Sequence, residues 1–224
     1  MSDKNLVARQ AARQIESGML VGLGTGSTAD LFIEALARRH REEGLQITTV
    51  SSSPVSAVKA EQLGLPQIAV EQVVRLDVYV DGADEVAPDL TLLKGRGQDL
   101  VREKLLARAA ERFWVLIDAS KEVGRIGARF PIPVEVWPFA WRAVRGLIGE
   151  LGGTAELRLN QAGVAVTSAG GMVLDCRFSD EPTPEVLDAL LSEMPGVMEH
   201  GIFHQLATTV LVAADGQVCE RHAT

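Results

Sequence analysis

The sequence predicts an α/β protein in which a parallel sheet wrapped by helices is interrupted by a smaller α+β domain. Three observations predict it. Short β-rich runs alternate with helical stretches through the first two-thirds of the chain, the pattern of parallel strands joined by crossover helices. Near residue 128 the texture changes to strand, helix, two strands, helix, strand once a short piece at 164–167 is left out, which is the split βαβ plan. An apolar run, Thr209 to Ala213, then returns the chain to the first sheet.

The elements follow in order. Residues 4–16 read as a helix, Met19 to Leu23 as a short apolar strand, Gly24 to Ser27 as a turn, and 28–41 as a helix. Ile47 to Val50 is the next strand. Ser53 followed by Pro54 is an N-cap with a helix-opening proline, starting a helix that runs to Leu63. Gln67 to Val70 and Leu76 to Val80 read as strands, 98–111 as a helix, and Phe113 to Ile117 as a strand. PIPVEV opens the second domain as a strand, and Pro138 to Leu151 is a helix closed by Gly152 and Gly153. Strands are expected near 155–159, 164–167 and 171–177, a helix opened by Thr183 and Pro184 and ending at Glu193, and a strand over 197–203. After Thr209 to Ala213 come a turn at Asp215 and Gly216 and a strand at 217–221. This divides the chain into a Rossmann-like domain, 1–127 plus 205–224, and an inserted ferredoxin-like domain, 128–204.

Composition narrows the function. With 224 residues, 46% hydrophobic and 23% charged, the chain is an ordinary globular sequence. It has no apolar run of about 18 residues to span a membrane, and its amphipathic start lacks the apolar segment of a signal peptide. Cys176 and Cys219 make neither a disulfide framework nor a metal-ligand spacing, so a reduced, cytoplasmic protein is expected. A net charge of −8 argues against nucleic acid or an anionic membrane as the partner, while leaving room for a locally basic site that binds a small anion. Only Lys4, Lys59, Lys94, Lys104 and Lys121 among the 22 basic residues are lysine, which singles them out for a compact ammonium.

Four segments carry candidate chemistry. GLGTGSTA, residues 22–29, lies between a strand and a helix. Its glycines permit close approach of a ligand, the helix start presents N–H groups to an anion, and Thr25, Ser27 and Thr28 add hydroxyls. It departs from the dinucleotide fingerprint, which wants Gly or Ala where Ser27 stands and an acidic residue near Ser51 to Ser53. DGADE, residues 81–85, places Asp81 and Asp84 just beyond a strand's carboxyl end, where such sheets bind ligands. KGRGQDLVREK, residues 94–104, is a glycine loop followed by a helix that carries Glu103. DASK, residues 118–121, puts Lys121 beyond another strand. Taken singly, each also fits a structural turn, an N-cap or a solvated charge.

Together the segments resemble the ribose-5-phosphate isomerase type A family. The likeness spans nearly the whole chain: GLGTGSTA, SSS at 51–53, YVDGADE, LKGRG…REK, DASK, PIPVEV, LGG at 151–153 and PGVMEHGIF at 195–203 occur in the family's order and spacing. The resemblance implies an aldose–ketose isomerase without cofactor or metal, acting on a sugar phosphate as a homodimer. It also implies the roles. Thr25, Gly26, Ser27 and Thr28 hold the substrate, chiefly its phosphate, with Lys121 and Lys4 as cationic support. Asp81, Gly82, Ala83 and Asp84 line the sugar. Lys94, Gly95, Arg96 and Gly97 form the oxyanion side, and Glu103 is the base. Position 96, commonly glycine in that family, is Arg96 here.

The chemistry accounts for these residue types. Moving a proton between C2 and C1 through an enediolate needs a carboxylate, and the charge that develops on O1 and O2 needs a cation and N–H donors. His200 and His204, four apart, would share a strand face without a third metal ligand. A sugar-phosphate sensor would keep the phosphate loop and need neither Glu103 nor Lys94, and a nucleotide-dependent enzyme is the other competing reading.

Overall fold

The structure is a computed structural model and describes residues 2–97, 99–179 and 182–223. In chain order its elements are α1 (Asp3–Arg13), β1 (Leu20–Leu23), α2 (Ser27–Glu42), β2 (Thr48–Ser51), α3 (Pro54–Gln62), β3 (Val78–Asp81), β4 (Glu85–Val86) and β5 (Leu92–Leu93). They continue with α4 (Leu100–Ala109), β6 (Phe113–Asp118), β7 (Ile132–Val136), α5 (Trp141–Glu150), β8 (Thr154–Leu157), β9 (Leu159–Asn160), β10 (Gly163–Val164) and β11 (Met172–Arg177). The last are α6 (Pro184–Glu193), β12 (Val197–His200), β13 (Ile202–Phe203), β14 (Thr209–Ala214) and β15 (Gln217–His222). The expected helix over 98–111 is α4; Gln98 lies outside the described residues.

The chain packs as two compact units, Met1–Ala83 with Arg102–Lys121 and Gln205–Thr224, and Asp84–Val101 with Glu122–His204. In the first, a six-stranded sheet has the order β15-β14-β6-β3-β1-β2. β14, β6, β3, β1 and β2 run parallel, and β15 closes the edge antiparallel to β14. Val21, Leu23, Val78, Val80 and Leu116 are buried, as strands covered on both faces require. Helix α1 buries Val7, Ala8, Ala11 and Ala12, and α2 buries Phe32, Ile33 and Leu36, the 3.6-residue stripes that the sequence carries. The register aligns Leu23 with Val80 and Asp81 with Val115, so the carboxyl ends of β1, β3 and β6 open on one edge of the sheet. Ligands bind at that edge in parallel sheets.

The second unit contains a four-stranded antiparallel sheet ordered β12-β7-β11-β8, with α5 and α6 in the split βαβ arrangement. Its core joins Val134, Val136, Val144, Ile148, Leu174, Leu187 and Leu191. The helix starts follow their local signals: Ser53 accepts from the Ser56 N–H at the head of α3, and Thr183 accepts from the Val186 N–H at the head of α6.

Three expectations need correction. Gln67 to Val70 makes one parallel bridge, Thr49 to Gln67, before a 3-10 turn at Val70–Gln72; the segment is mostly exposed beside the edge strand β2 and has little to bury. The strand expected over 197–203 breaks at Gly201. The Gly201 N–H donates to Pro133 O (2.8 Å) and its carbonyl accepts from the Lys94 N–H (2.9 Å). His200 and His204 therefore do not share one strand; His200 faces Ser192 (3.0 Å) and His204 faces Thr91 (2.9 Å). Finally, β4 and β5 are two-residue strands that pair with each other, with β13 beside β5, and draw residues 84–101 into the second unit. Pairing with a segment over a hundred residues away leaves no local pattern to read.

Candidate active site

In the first unit, β1 ends at Leu23 and the chain turns through Gly24, whose N–H donates to Val80 O (2.9 Å). A Cβ at Gly24 would overlap the Asp81 carboxyl group, so glycine is what lets that carboxylate lie against the loop. Asp81 ends β3 and is fully buried. Its Oδ1 accepts from the Thr25 N–H (3.0 Å) and the Gly82 N–H (2.7 Å), and its Oδ2 accepts from the Tyr79 hydroxyl (2.5 Å). A carboxylate taking that many donors is held rigidly as an acceptor. The Thr25 hydroxyl turns into a serine cluster, donating to Ser53 (2.7 Å) beside Ser52 (3.2 Å) and Ser56 (3.3 Å), while Ser56 donates to Gly24 O (2.5 Å). The cluster pins the loop from behind. Helix α2 begins at Ser27, and Gly26 supplies it no side-chain cap. Ser27 is exposed, and the Lys4 ammonium donates to its hydroxyl (3.0 Å). The start of this helix thus carries a cation beside its positive dipole end, an arrangement suited to an anion.

Lys121 lies in the 3-10 turn after β6. Partial burial pushes the Asp118 carboxyl upward, but donation from the Ser120 hydroxyl and amide and the charges of Lys121 and Lys4 outweigh it, and the net direction is downward. Both predicted cations therefore act at the carboxyl end of one strand. Glu103 sits in the first turn of α4 and is 3% exposed. Its charge reaches Tyr79, whose phenol is pushed well above its usual range by burial first, then by the Asp81 and Glu103 charges and the hydrogen bond to Asp81; Ser52 opposes the shift. Tyr79, stacked on Phe113 at 5.0 Å, is thus a neutral donor between two carboxylates.

In the second unit, Asp84 is half-buried; its N–H donates to Leu93 O (2.8 Å) and its Oδ2 accepts from the Arg96 N–H (3.3 Å). Lys94 follows β5, is 4% exposed, and holds its Nζ 5.6 Å from the Phe203 ring centroid. Gly95 has φ +104°, and a Cβ there would overlap the Leu100 side chain. The left-handed angle falls on Gly95, and Arg96 is not among the described non-glycine residues with positive φ. Arg96 is exposed and stacks its guanidinium on Phe130, 4.3 Å from the ring centroid. With the Lys94 amide on Gly201 and the Arg96 amide on Asp84, two of the N–H groups expected to form an oxyanion hole are engaged within the unit.

Sequence reasoning missed several residues. Tyr79 was detectable: it is the chain's single tyrosine, two positions before Asp81 on a strand and so on the same face. The serine cluster was half visible as the run at 51–53, without its contacts. Glu85, fully buried, accepts the N–H groups of Gly127 (2.6 Å), Arg129 (2.7 Å) and Phe130 (2.8 Å), making the last acid of DGADE an anchor for the 127–130 loop. Among the described residues, no group of three or more His, Cys, Asp and Glu is arranged to hold a metal.

Residues 48–217 match the profile of the family described as ribose 5-phosphate isomerase A (phosphoriboisomerase A). The ribose-5-phosphate isomerase A of Thermosynechococcus vestitus is 43% identical over 219 residues, covering 96% of this chain and 93% of that protein. A solved ribose 5-phosphate isomerase A from Methanocaldococcus jannaschii is 38% identical with a TM-score of 0.93, covering 98% of each chain. A D-ribose-5-phosphate isomerase solved in complex with phospho-erythronic acid is 35% identical with a TM-score of 0.94, covering 98% of this chain and 97% of that one. Buried carboxylates at Asp81 and Glu103, a cationic helix start at Ser27 and full-length likeness in sequence and fold converge: the chain belongs to the ribose 5-phosphate isomerase A family.

Proposed function

We propose that this protein interconverts D-ribose 5-phosphate and D-ribulose 5-phosphate through an enediolate, serving the non-oxidative pentose phosphate pathway. The observation that carries the reading is Glu103, a carboxylate held almost wholly out of solvent and set in a helix's first turn. Glu103 takes the C2 proton of the aldose and returns it to C1, and the same group runs the reverse reaction. The two forms differ only in where hydrogens sit, so the chemistry calls for no redox cofactor. Lys94 supplies the positive charge as O1 and O2 become negative. A second acid, Asp81 or Asp84, moves protons among the sugar oxygens; Asp81 accepts from three donors and fixes the loop at 24–25, and the half-burial of Asp84 supports giving that task to Asp84. Thr25 to Thr28, with Lys4 and Lys121, receive the phosphate; the Lys4 contact to Ser27 supports this.

The relative in complex with phospho-erythronic acid supports a site that takes a phosphorylated sugar acid. The two cysteines are free, which fits a reducing, cytoplasmic setting. The proposal also takes the working form as a homodimer, on family resemblance. The test is to incubate the purified protein with ribose 5-phosphate in D2O and follow ketose formation and deuterium at carbon by NMR. Ribulose 5-phosphate should appear at an enzymatic rate, with solvent deuterium entering at the transferred position in some turnovers. A protein that binds ribose 5-phosphate and forms no ketose would be a sensor, and the reading would fail.

A further inference from the structure

Arg158 lies between β8 and β9, and its side chain makes three directed contacts inside the second unit. Its Nε donates to Asp175 Oδ2 (2.9 Å), its Nη2 donates to Asp175 Oδ1, and its Nη1 donates to the carbonyl of Gly95 (2.9 Å). Arg158 is 13% exposed and Asp175 24%. The backbone under the side chain is fixed as well: the Arg158 N–H donates to Val173 O (2.8 Å) and its carbonyl accepts from the Ala165 N–H (3.0 Å). The guanidinium is therefore aimed before any ligand arrives.

Its target is a single planar group. The carbonyl of Gly95 and the N–H of Arg96 belong to one peptide unit and point in opposite directions across it. Arg158 holds the carbonyl end, and Asp84 Oδ2 accepts from the N–H end (3.3 Å). This plane is free to rotate on its Gly95 side, because Gly95 carries no side chain and stands at φ +104°. Glycine is required at 95 by the Leu100 side chain, so the freedom it brings must be removed from outside.

We infer that Arg158, oriented by Asp175, is a positioning residue that clamps the Gly95–Arg96 peptide and through it sets the direction of the Asp84 carboxylate. The guanidinium suits this because its fork can engage a carboxylate with two N–H groups and present a third to a carbonyl, which an ammonium cannot reproduce. The inference rests on the assignment of Asp84 to the isomerase site.

The experiment is a double-mutant cycle on the full chain with ribose 5-phosphate. Arg158→Ala is expected to lower kcat by about tenfold or more with KM changed by less than about threefold, the signature of lost orientation. Guanidinium ion, added far below denaturing levels, should restore a large part of that kcat, a result that mere loss of packing would not give. In an Asp84→Asn background the same substitution should cost less than about twofold. Should Arg158→Ala not fold, Arg158→Lys carries the same comparison with the charge retained. A kcat within about twofold of wild type, or a loss that guanidinium does not relieve and that is undiminished beside Asp84→Asn, overturns the inference. Wild-type kcat in Asp84→Asn alone would instead remove Asp84 from the site, and that single variant tells the two failures apart.

Discussion

At the scale of single residues, what distinguishes Glu103, Asp81 and Tyr79 is that each polar group is buried and each has a stated consequence for the others. Tyr79 remains a neutral phenol under the charges of two acids and donates to Asp81. Glu103→Gln keeps the shape and removes the proposed base. Its kcat should fall by ~10²–10⁴ with little change in thermal melting, and turnover within tenfold of wild type in a folded variant would take Glu103 out of the role. Arg96 leads to the opposite expectation. Its backbone holds negative φ while Gly95 absorbs the strained angle, and its guanidinium rests on Phe130 rather than beside Lys94. Arg96→Gly should therefore keep kcat/KM within about tenfold, a loss of no more than ~1.4 kcal/mol in transition-state binding. It should lose stability slightly, through the missing stacking and the freer unfolded chain. A hundredfold drop in kcat/KM would show that Arg96 touches substrate.

At the scale of elements, β7 buries a carboxyl group on the face opposite its core residues Ile132, Val134 and Val136. Glu135 is 1% exposed in the middle of the four-stranded sheet, and its Oε1 accepts from the Thr167 hydroxyl (2.5 Å). Burial pushes its carboxyl upward; the Thr167 hydroxyl and the Val101 amide oppose this, while the Asp99 and Glu199 charges add to it. A folded-state pKa above the unfolded value means that the favourable contribution is fully present below the unfolded pKa and is lost as pH rises through the folded one. Glu135→Gln does not titrate, so its melting temperature relative to wild type should climb as pH rises above the ordinary glutamate range. A difference that stays constant as pH rises would show that Glu135 does not titrate in the folded protein as inferred. The same strand-level view explains which elements were legible. β7, α5 and α6 announced themselves through alternation, helical stripes and the Thr183–Pro184 start, whereas β4 and β5 are two-residue strands that pair with each other and, at β5, with the distant β13.

At the scale of the whole molecule, an acidic chain is expected to bind an anionic substrate, which calls for a locally basic site. Lys4 and Lys121 gather at the carboxyl ends of strands, beside a helix start without a side-chain cap. If the phosphate is held there, ribose without phosphate should be turned over with a kcat/KM lower by several orders of magnitude, and inorganic phosphate should compete weakly with ribose 5-phosphate. Equal kcat/KM for ribose and its 5-phosphate would sink the assignment. The sequence alone determined the α/β class, the inserted split βαβ domain and the four chemical segments. Each of these is written in short-range patterns: period two in strands, 3.6 in helices, glycine at turns, and carboxylates at strand ends. Only the tertiary structure decided what those segments touch. The Thr25 hydroxyl faces serines rather than solvent, Glu85 anchors a loop, and Gly95 is held by an arginine 63 residues away. Such contacts depend on which strands become neighbours, and strand neighbourhood is fixed by the burial of whole faces, to which each local segment contributes only a few residues.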